Sequence, residues 1–231
     1  MSAILGTAGR PRAAPRSRFD DLHITLAALV ALLSWDLAGL DLAAMRQVGG
    51  LEGFAWQDAF LTTTVLHQGG RALGWAMLAA LVVNVWHPLW AGPARAERVR
   101  WLAVTVLCVL AVPALKQINH TSCPWDLAQF GGVAAYVGHW QLGVADGGPG
   151  RCFPSGHATA AFAFVSGWFV LRHHQPRVAR WWLAAVLVLG LTLGLGQYLR
   201  GAHYPSHTLW TAWLCWSACA LLLRHRSPAV A

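Results

Sequence analysis

The chain has 231 residues, 56% of them hydrophobic and 11% charged, with a formal net charge of +8. A soluble domain carries roughly 25% charged residues, so that class is excluded. Mean hydropathy is +0.46, and several stretches approach the ~20 apolar residues that cross a bilayer. Both observations indicate an all-α, polytopic membrane protein. The positive charge sits in short arginine clusters between apolar runs, which is topological information and not a nucleic-acid footprint.

Residues 1–21 are rich in Arg, Ala and Pro and carry Arg10, Arg12, Arg16 and Arg18; they read as a basic cytoplasmic tail. A basic start before an apolar run also describes a signal peptide, but the run at 22–42 is too long for one and reads as the first span. Asp36 lies inside it and reads as an edge aspartate with a local hydrogen-bond partner. Gly49, Gly50 and Gly53 then break the pattern. Phe54, Trp56, Phe60, Leu61 and Val65 recur at roughly helical spacing, which predicts a short interfacial helix within 43–70.

The second span is read at 71–85, followed by Trp86 and Trp90 and then Arg95, Arg98 and Arg100. The third is read at 101–115, ending in Lys116, and a polar, Gly-rich connection fills 117–153. The fourth is 154–171, followed by Arg172, Arg177 and Arg180. The fifth is 181–199, ending in Arg200, and the sixth is 205–223, followed by Arg224 and Arg226. Trp210, Trp213 and Trp216 recur at threes along the sixth span and read as packing or lipid contact. Residues 224–231 form a second cytoplasmic tail.

The arginine clusters precede span one and follow spans two, four and six. Those four places share one side of a six-span topology, and positive residues favour the cytoplasm. Both termini are therefore expected inside, with the connections after spans one, three and five facing outward. Those outward ends hold Lys116, Arg151, Ser155, His157, Arg200, His203 and His207. Arg151-Cys152-Phe153-Pro154-Ser155-Gly156-His157 is expected where a loop becomes a helix. Free N–H groups and the helix dipole there favour an anion. Ser155 can cap or donate, Gly156 permits close backbone approach, and His157 can carry a proton. Cations, histidines and a helix N-terminus at one surface describe a phosphate site with a nucleophile and a proton donor.

Lys116-x6-Cys123-Pro124, Pro154-Ser155-Gly156-His157 and Gly201-Ala202-His203-Tyr204-Pro205-Ser206-His207 together resemble the three-part signature of the type 2 phosphatidic acid phosphatase superfamily. That superfamily comprises membrane lipid phosphatases sharing a haloperoxidase-like helical core, and the resemblance spans a catalytic core of about 70–223. It implies hydrolysis of a phosphomonoester or pyrophosphate lipid without metal or other cofactor, at a periplasmic site in a bacterial inner membrane. His203 would attack phosphorus and form a phosphohistidine, and His157 would protonate the leaving alkoxide. Lys116, Ser155 and the Gly156 N–H would hold the non-bridging oxygens. Transfer of the phosphate to another lipid, or a catalytically inactive bundle of the same fold, are the alternatives. The residues do not distinguish phosphatidic acid, phosphatidylglycerol phosphate, polyprenyl (pyro)phosphate and lipid A phosphate, nor do they give the oligomeric state.

The chain departs from the family pattern at three places. Cys123 and Gln197 stand where the family has arginine, and His207 stands where it has aspartate. Arg151 and Arg200 are placed to supply the missing guanidinium contacts. His207, one turn beyond His203, could accept its N–H and orient the ring, and Asp126 is a second candidate for that role. His157, His203 and His207 could chelate zinc, but no carboxylate or cysteine motif of zinc spacing accompanies them, and no metal is expected. Cys108, Cys215 and Cys219 read as small apolar residues within spans. Cys123 and Cys152 share the outward connection, where a disulfide can persist. They are expected to pair, closing a loop of about thirty residues worth on the order of 3 kcal/mol. The sequon Asn119-His120-Thr121 reads as chance.

Overall fold

The computed structural model describes residues 18–223. Most of both predicted tails, with Arg10, Arg12, Arg16, Arg224 and Arg226, lies outside the described residues. The chain is mostly helical. Helix α1 (Arg18–Leu37) is an apolar rod that ends before Gly39, whose φ of 63° is open to a residue without Cβ. A short α2 (Leu40–Met45) follows, so the predicted first span is broken near its end. Asp36 has long-range partners and not local ones. Its Oδ2 accepts from His139 Nε2 at 3.2 Å, Trp140 Nε1 at 2.7 Å and Trp210 Nε1 at 2.9 Å.

The predicted interfacial helix does not form as a separate element. Residues 49–54 make a two-stranded hairpin, β1 (Gly49–Gly50) and β2 (Gly53–Phe54). Leu61–Gly69 is a π-helix that runs without a break into α3 (Gly70–Trp86), because Gly69 and Gly70 keep helical torsions. The apolar helix therefore spans Leu61–Trp86 and starts ten residues earlier than its hydropathy suggested. Helix α4 (Arg95–Gln117) opens on a Glu97 carboxylate that accepts from the Ala94 N–H at 2.8 Å.

The predicted fourth span is shorter than expected. Its helical part is α5 (Thr159–Phe162), a 3₁₀ turn (Ala163–Val165) and α6 (Ser166–Leu171). At ~1.5 Å per residue, this Thr159–Leu171 rod is shorter than a single helix that spans a hydrocarbon core of ~30 Å. Every residue in it but Ala160 is buried, so it is the centre of the bundle. Gly167 lets the Trp182 indole lie where a Cβ would come within 2.3 Å of its nitrogen. Trp101 Nε1 donates to Ser166 Oγ at 3.0 Å, and the Ser166 and Thr105 hydroxyls bond at 2.7 Å. Helices α7 (Pro176–Leu199) and α8 (Pro205–Leu222) complete the bundle, and both carry proline in the first turn, where no N–H is lost. Trp213 and Trp216 donate to Thr25 and hold α8 on α1.

Three described helices are long and apolar enough to cross a membrane: Leu61–Trp86, Arg95–Gln117 and Pro176–Leu199. The bundle has two chemically different ends. At one, Arg172 grips Asp21 through two bonds of 2.7 and 2.8 Å, and Arg100 donates to the Leu222 carbonyl. At the other, a second apolar cluster of Met45, Phe54, Leu127, Phe130, Ala134 and Tyr204 roofs the helix ends. Lys116, Ser155, His157, His203 and His207 are all at this second end.

Candidate active site

The long connection between α4 and α5 is irregular but closely stitched. Cys123 and Cys152 are joined by a disulfide across 29 residues. The Ser122 N–H and hydroxyl bond the Asp146 carboxylate at 2.6 and 2.8 Å, and the Arg151 and Cys152 N–H groups bond the Asn119 and Thr121 carbonyls at 2.9 Å. Asn119 is buried and its Oδ1 accepts from the Thr121 N–H, so the sequon asparagine is part of the loop's own wiring. This stitching delivers Ser155, Gly156 and His157 to the head of α5. These residues form a turn before the helix and not its first turn. The Ser155 N–H bonds the His207 carbonyl at 3.2 Å, and its carbonyl accepts from Thr211 Oγ1 at 2.9 Å, locking the turn to α8.

His203 arrives from the other side, on the tight link between α7 and α8. The Ala202 and His203 N–H groups both bond the Gln197 carbonyl, at 2.9 and 3.3 Å. His203 is buried, with Nδ1 3.5 Å from Cys152 Sγ. Burial pushes its pKa well below the usual imidazole range, and the charges of Lys116 and His157 push it the same way. His157 is held below that range too, to about 4, by burial and then by His67. Its Nε2 lies 3.2 Å from the Leu66 carbonyl, and its ring lies against that of His67, tilted by 32° with centroids 4.6 Å apart. Nε2–H donates to that carbonyl, which leaves Nδ1 as the free atom. In this state both imidazoles are neutral. Lys116 is close enough for its charge to bear on His203.

Several buried polar atoms at these positions have no partner: Ser155 Oγ, His157 Nδ1, Thr159 Oγ1, Gln197 Nε2 and His207 Nε2. An unsatisfied buried polar group costs about 1–3 kcal/mol. Such a group needs an explanation, and a bound anion supplies one for the hydroxyls and the amide. No Cβ contact would crowd Gly156, so its backbone stays open to a ligand. Beside it runs a cleft of about 240 Å³, lined mainly by apolar side chains of α3, α4 and α5, with Arg71 among them.

The remaining predicted residues fall elsewhere. Arg151 has φ of 58° and borders a different, polar hollow with Asp146 and His120; none of the three site histidines lines it. Arg200 donates to the Gln57 carbonyl at 2.9 Å and stacks on Trp125, yet its charge still reaches His67 and His157. His207 does not accept from His203. Its Nδ1 faces the Cys152 carbonyl at 3.1 Å, and the two rings are 5.8 Å apart. Asp126 accepts from the Cys123 N–H at 3.1 Å, which occupies it in the loop. Sequence reading passed over His67 and Arg71. They lie one turn apart on the Leu61–Trp86 helix, and both bear on His157. Arg71 was available as the outward end of the second predicted span. His67 was assigned to the wrong element because the π-turn was not foreseen.

The sequence matches the family model described as PAP2 superfamily over residues 98–229. That stretch holds the motif residues Lys116, Ser155, Gly156, His157 and His203. Comparison with curated proteins and with solved structures gives no significant match. The matched stretch is more than half of the chain and contains the turn, the lysine and the two neutral imidazoles just described. The chain therefore belongs to the PAP2 superfamily, whose members are generally phosphatases acting on phosphate esters.

Proposed function

We propose that this protein is a membrane-embedded phosphatase that hydrolyses a phosphomonoester or pyrophosphate lipid at the outward, periplasmic face of a bacterial inner membrane. The observation that carries this reading is the set of buried, partnerless polar atoms at Ser155, His157 and Gln197, gathered with Lys116 around a neutral His203. A tetrahedral phosphate satisfies them: Ser155 Oγ, the Gly156 N–H, Gln197 Nε2 and the Lys116 ammonium donate to its non-bridging oxygens. Phosphoryl transfer rewards such positioning and charge stabilisation.

His203 contributes the lone pair. Its neutral state is what a nucleophile near pH 7 requires, and the Nδ1 contact with Cys152 leaves Nε2 to attack. As the N–P bond forms, the ester P–O bond breaks, and the leaving oxygen takes a proton from His157 Nδ1. That proton is taken up from water as the substrate binds, because a phosphate dianion beside His157 reverses the effect of burial on its pKa. Water then gives a proton to His157 and attacks phosphorus, the P–N bond breaks, and phosphate leaves with neutral His203 restored. Arg71 stands at the cleft and faces the anion. The apolar cleft takes the start of a hydrocarbon chain, which supports a lipid over a soluble ester.

In this reading the arginine-rich end is cytoplasmic, and six helices form the membrane-embedded unit. The test is phosphate release by detergent-purified protein across phosphatidic acid, phosphatidylglycerol phosphate, polyprenyl pyrophosphate, lipid A phosphate and a soluble aryl phosphate. Release from at least one lipid, well above the soluble ester, is expected. Release from none of them by folded protein contradicts the proposal.

A further inference from the structure

A second cluster lies behind the phosphate site. One carboxylate oxygen of Asp41 and one ring nitrogen each of His139 and His207 lie within 4.8 Å of one another, all three residues buried. Each is also held from behind. His207 Nδ1 meets the Cys152 carbonyl at 3.1 Å, which leaves Nε2 buried and without a partner. His139 meets Asp36 through Nε2 at 3.2 Å. Asp41 accepts from Trp35 Nε1 at 2.9 Å, from the Ser206 N–H at 3.1 Å and from the Ser206 hydroxyl. Imidazoles backed by a carbonyl or a carboxylate are the usual outer arrangement of a metal-binding histidine.

Charge gives an independent argument. Asp36 and Asp41 are two buried carboxylates, and among the described residues neither is paired with lysine or arginine. A carboxylate buried with no cationic lysine or arginine beside it has place for a bound cation as its partner. The other trio of metal-ligand spacing, Cys123, Cys152 and His203, is spent, because its two sulfurs are bonded to each other.

We propose that Asp41, His139 and His207 bind one divalent transition-metal cation, zinc by ligand class, in a structural site separate from the phosphate pocket. Two imidazoles and a carboxylate at about 2.0–2.2 Å, with a fourth position left for water, suit that ion. It closes the trio inward and ties α2, the outer loop and the head of α8 into one unit next to His203. The site does not rest on the phosphatase reading.

The test is a cobalt titration of chelator-stripped wild-type protein, followed by visible absorption, with metal content by mass spectrometry. Parent protein is expected to take up one equivalent and develop the d–d bands of a four- or five-coordinate ion. Asp41→Asn and His139→Gln should bind at least tenfold more weakly, and Asp36→Asn about 10–100-fold more weakly. Absence of saturable binding by the parent overturns the proposal. Binding retained in both ligand variants, or displaced by inorganic phosphate, overturns it as well, since the ion would then sit between His157 and His203. If the variants do not fold, X-ray absorption of the zinc-loaded parent decides. Two imidazoles with oxygen support the site, and sulfur or oxygen alone refutes it.

Discussion

At the scale of single residues, the site is a contest between burial and charge. His203 and His157 are shielded from water and near other cations, and both effects disfavour protonation. The acid limb of kcat/KM, which reports the free enzyme, is therefore expected below pH 6.5 when substrate ionisation is corrected for. An acid limb above pH 7 would contradict the burial argument. The same groups make stability depend on pH. Their folded pKa values lie below the unfolded one, so their contribution is present above about 6.5. It is lost as pH falls through the depressed values, toward about 4 for His157. Thermal unfolding between pH 7 and 4 should show a falling midpoint, less steep in His157→Gln. Replacing His157 by alanine should lower kcat by roughly 10²–10⁴-fold, and Gln197→Leu should raise KM for the phosphate while leaving the fold intact.

At the scale of elements, two ties hold the site in place. The Cys123–Cys152 disulfide fixes the loop whose Cys152 contacts both His203 and His207. Its removal as Cys123→Ser/Cys152→Ser is expected to cost about 3 kcal/mol, read from chemical denaturation. It should also lower kcat more than it raises KM, since the ring and not the anion cradle loses its support. At the far end, Asp21 and Arg172 form a buried two-bond pair between α1 and α6. Asp21→Ala leaves a buried guanidinium unpaired and should destabilise by about 3–5 kcal/mol, with kcat of the surviving folded protein unchanged. The elements also show what periodicity conveys and what it hides. Long apolar runs marked α3, α4 and α7 well. Asp36 fell in such a run, but its partners His139, Trp140 and Trp210 are 103, 104 and 174 residues away, and no local pattern encodes them. The π-helix at Leu61–Gly69 runs straight into α3, so His67, which falls within the stretch read as an interfacial helix, lies on the same continuous helix as Arg71.

At the scale of the whole molecule, the chain separates two tasks along its length. Among the described residues, Arg100 and Arg172 lie at one end of the bundle and the candidate site lies at the other. That division was legible because charge is scarce in an apolar chain, so each cation is informative. Lys116, Ser155, His157 and His203 were read as candidates for the same reason. Arg151 and Arg200 were chosen by proximity in sequence, and Arg151 borders a polar hollow with Asp146 that none of the three site histidines lines. The central Thr159–Leu171 rod is apolar and buried within the protein, and hydropathy does not distinguish that burial from burial in lipid.

The most direct measurement is rapid quenching of the purified protein with a ³²P-labelled lipid phosphate, followed by mapping of the labelled peptide. An acid-labile, alkali-stable phosphate on His203, absent from His203→Ala and formed more slowly in His157→Gln, is the predicted result. Phosphate release by His203→Ala at the parental rate, or a label on any other residue, would contradict it.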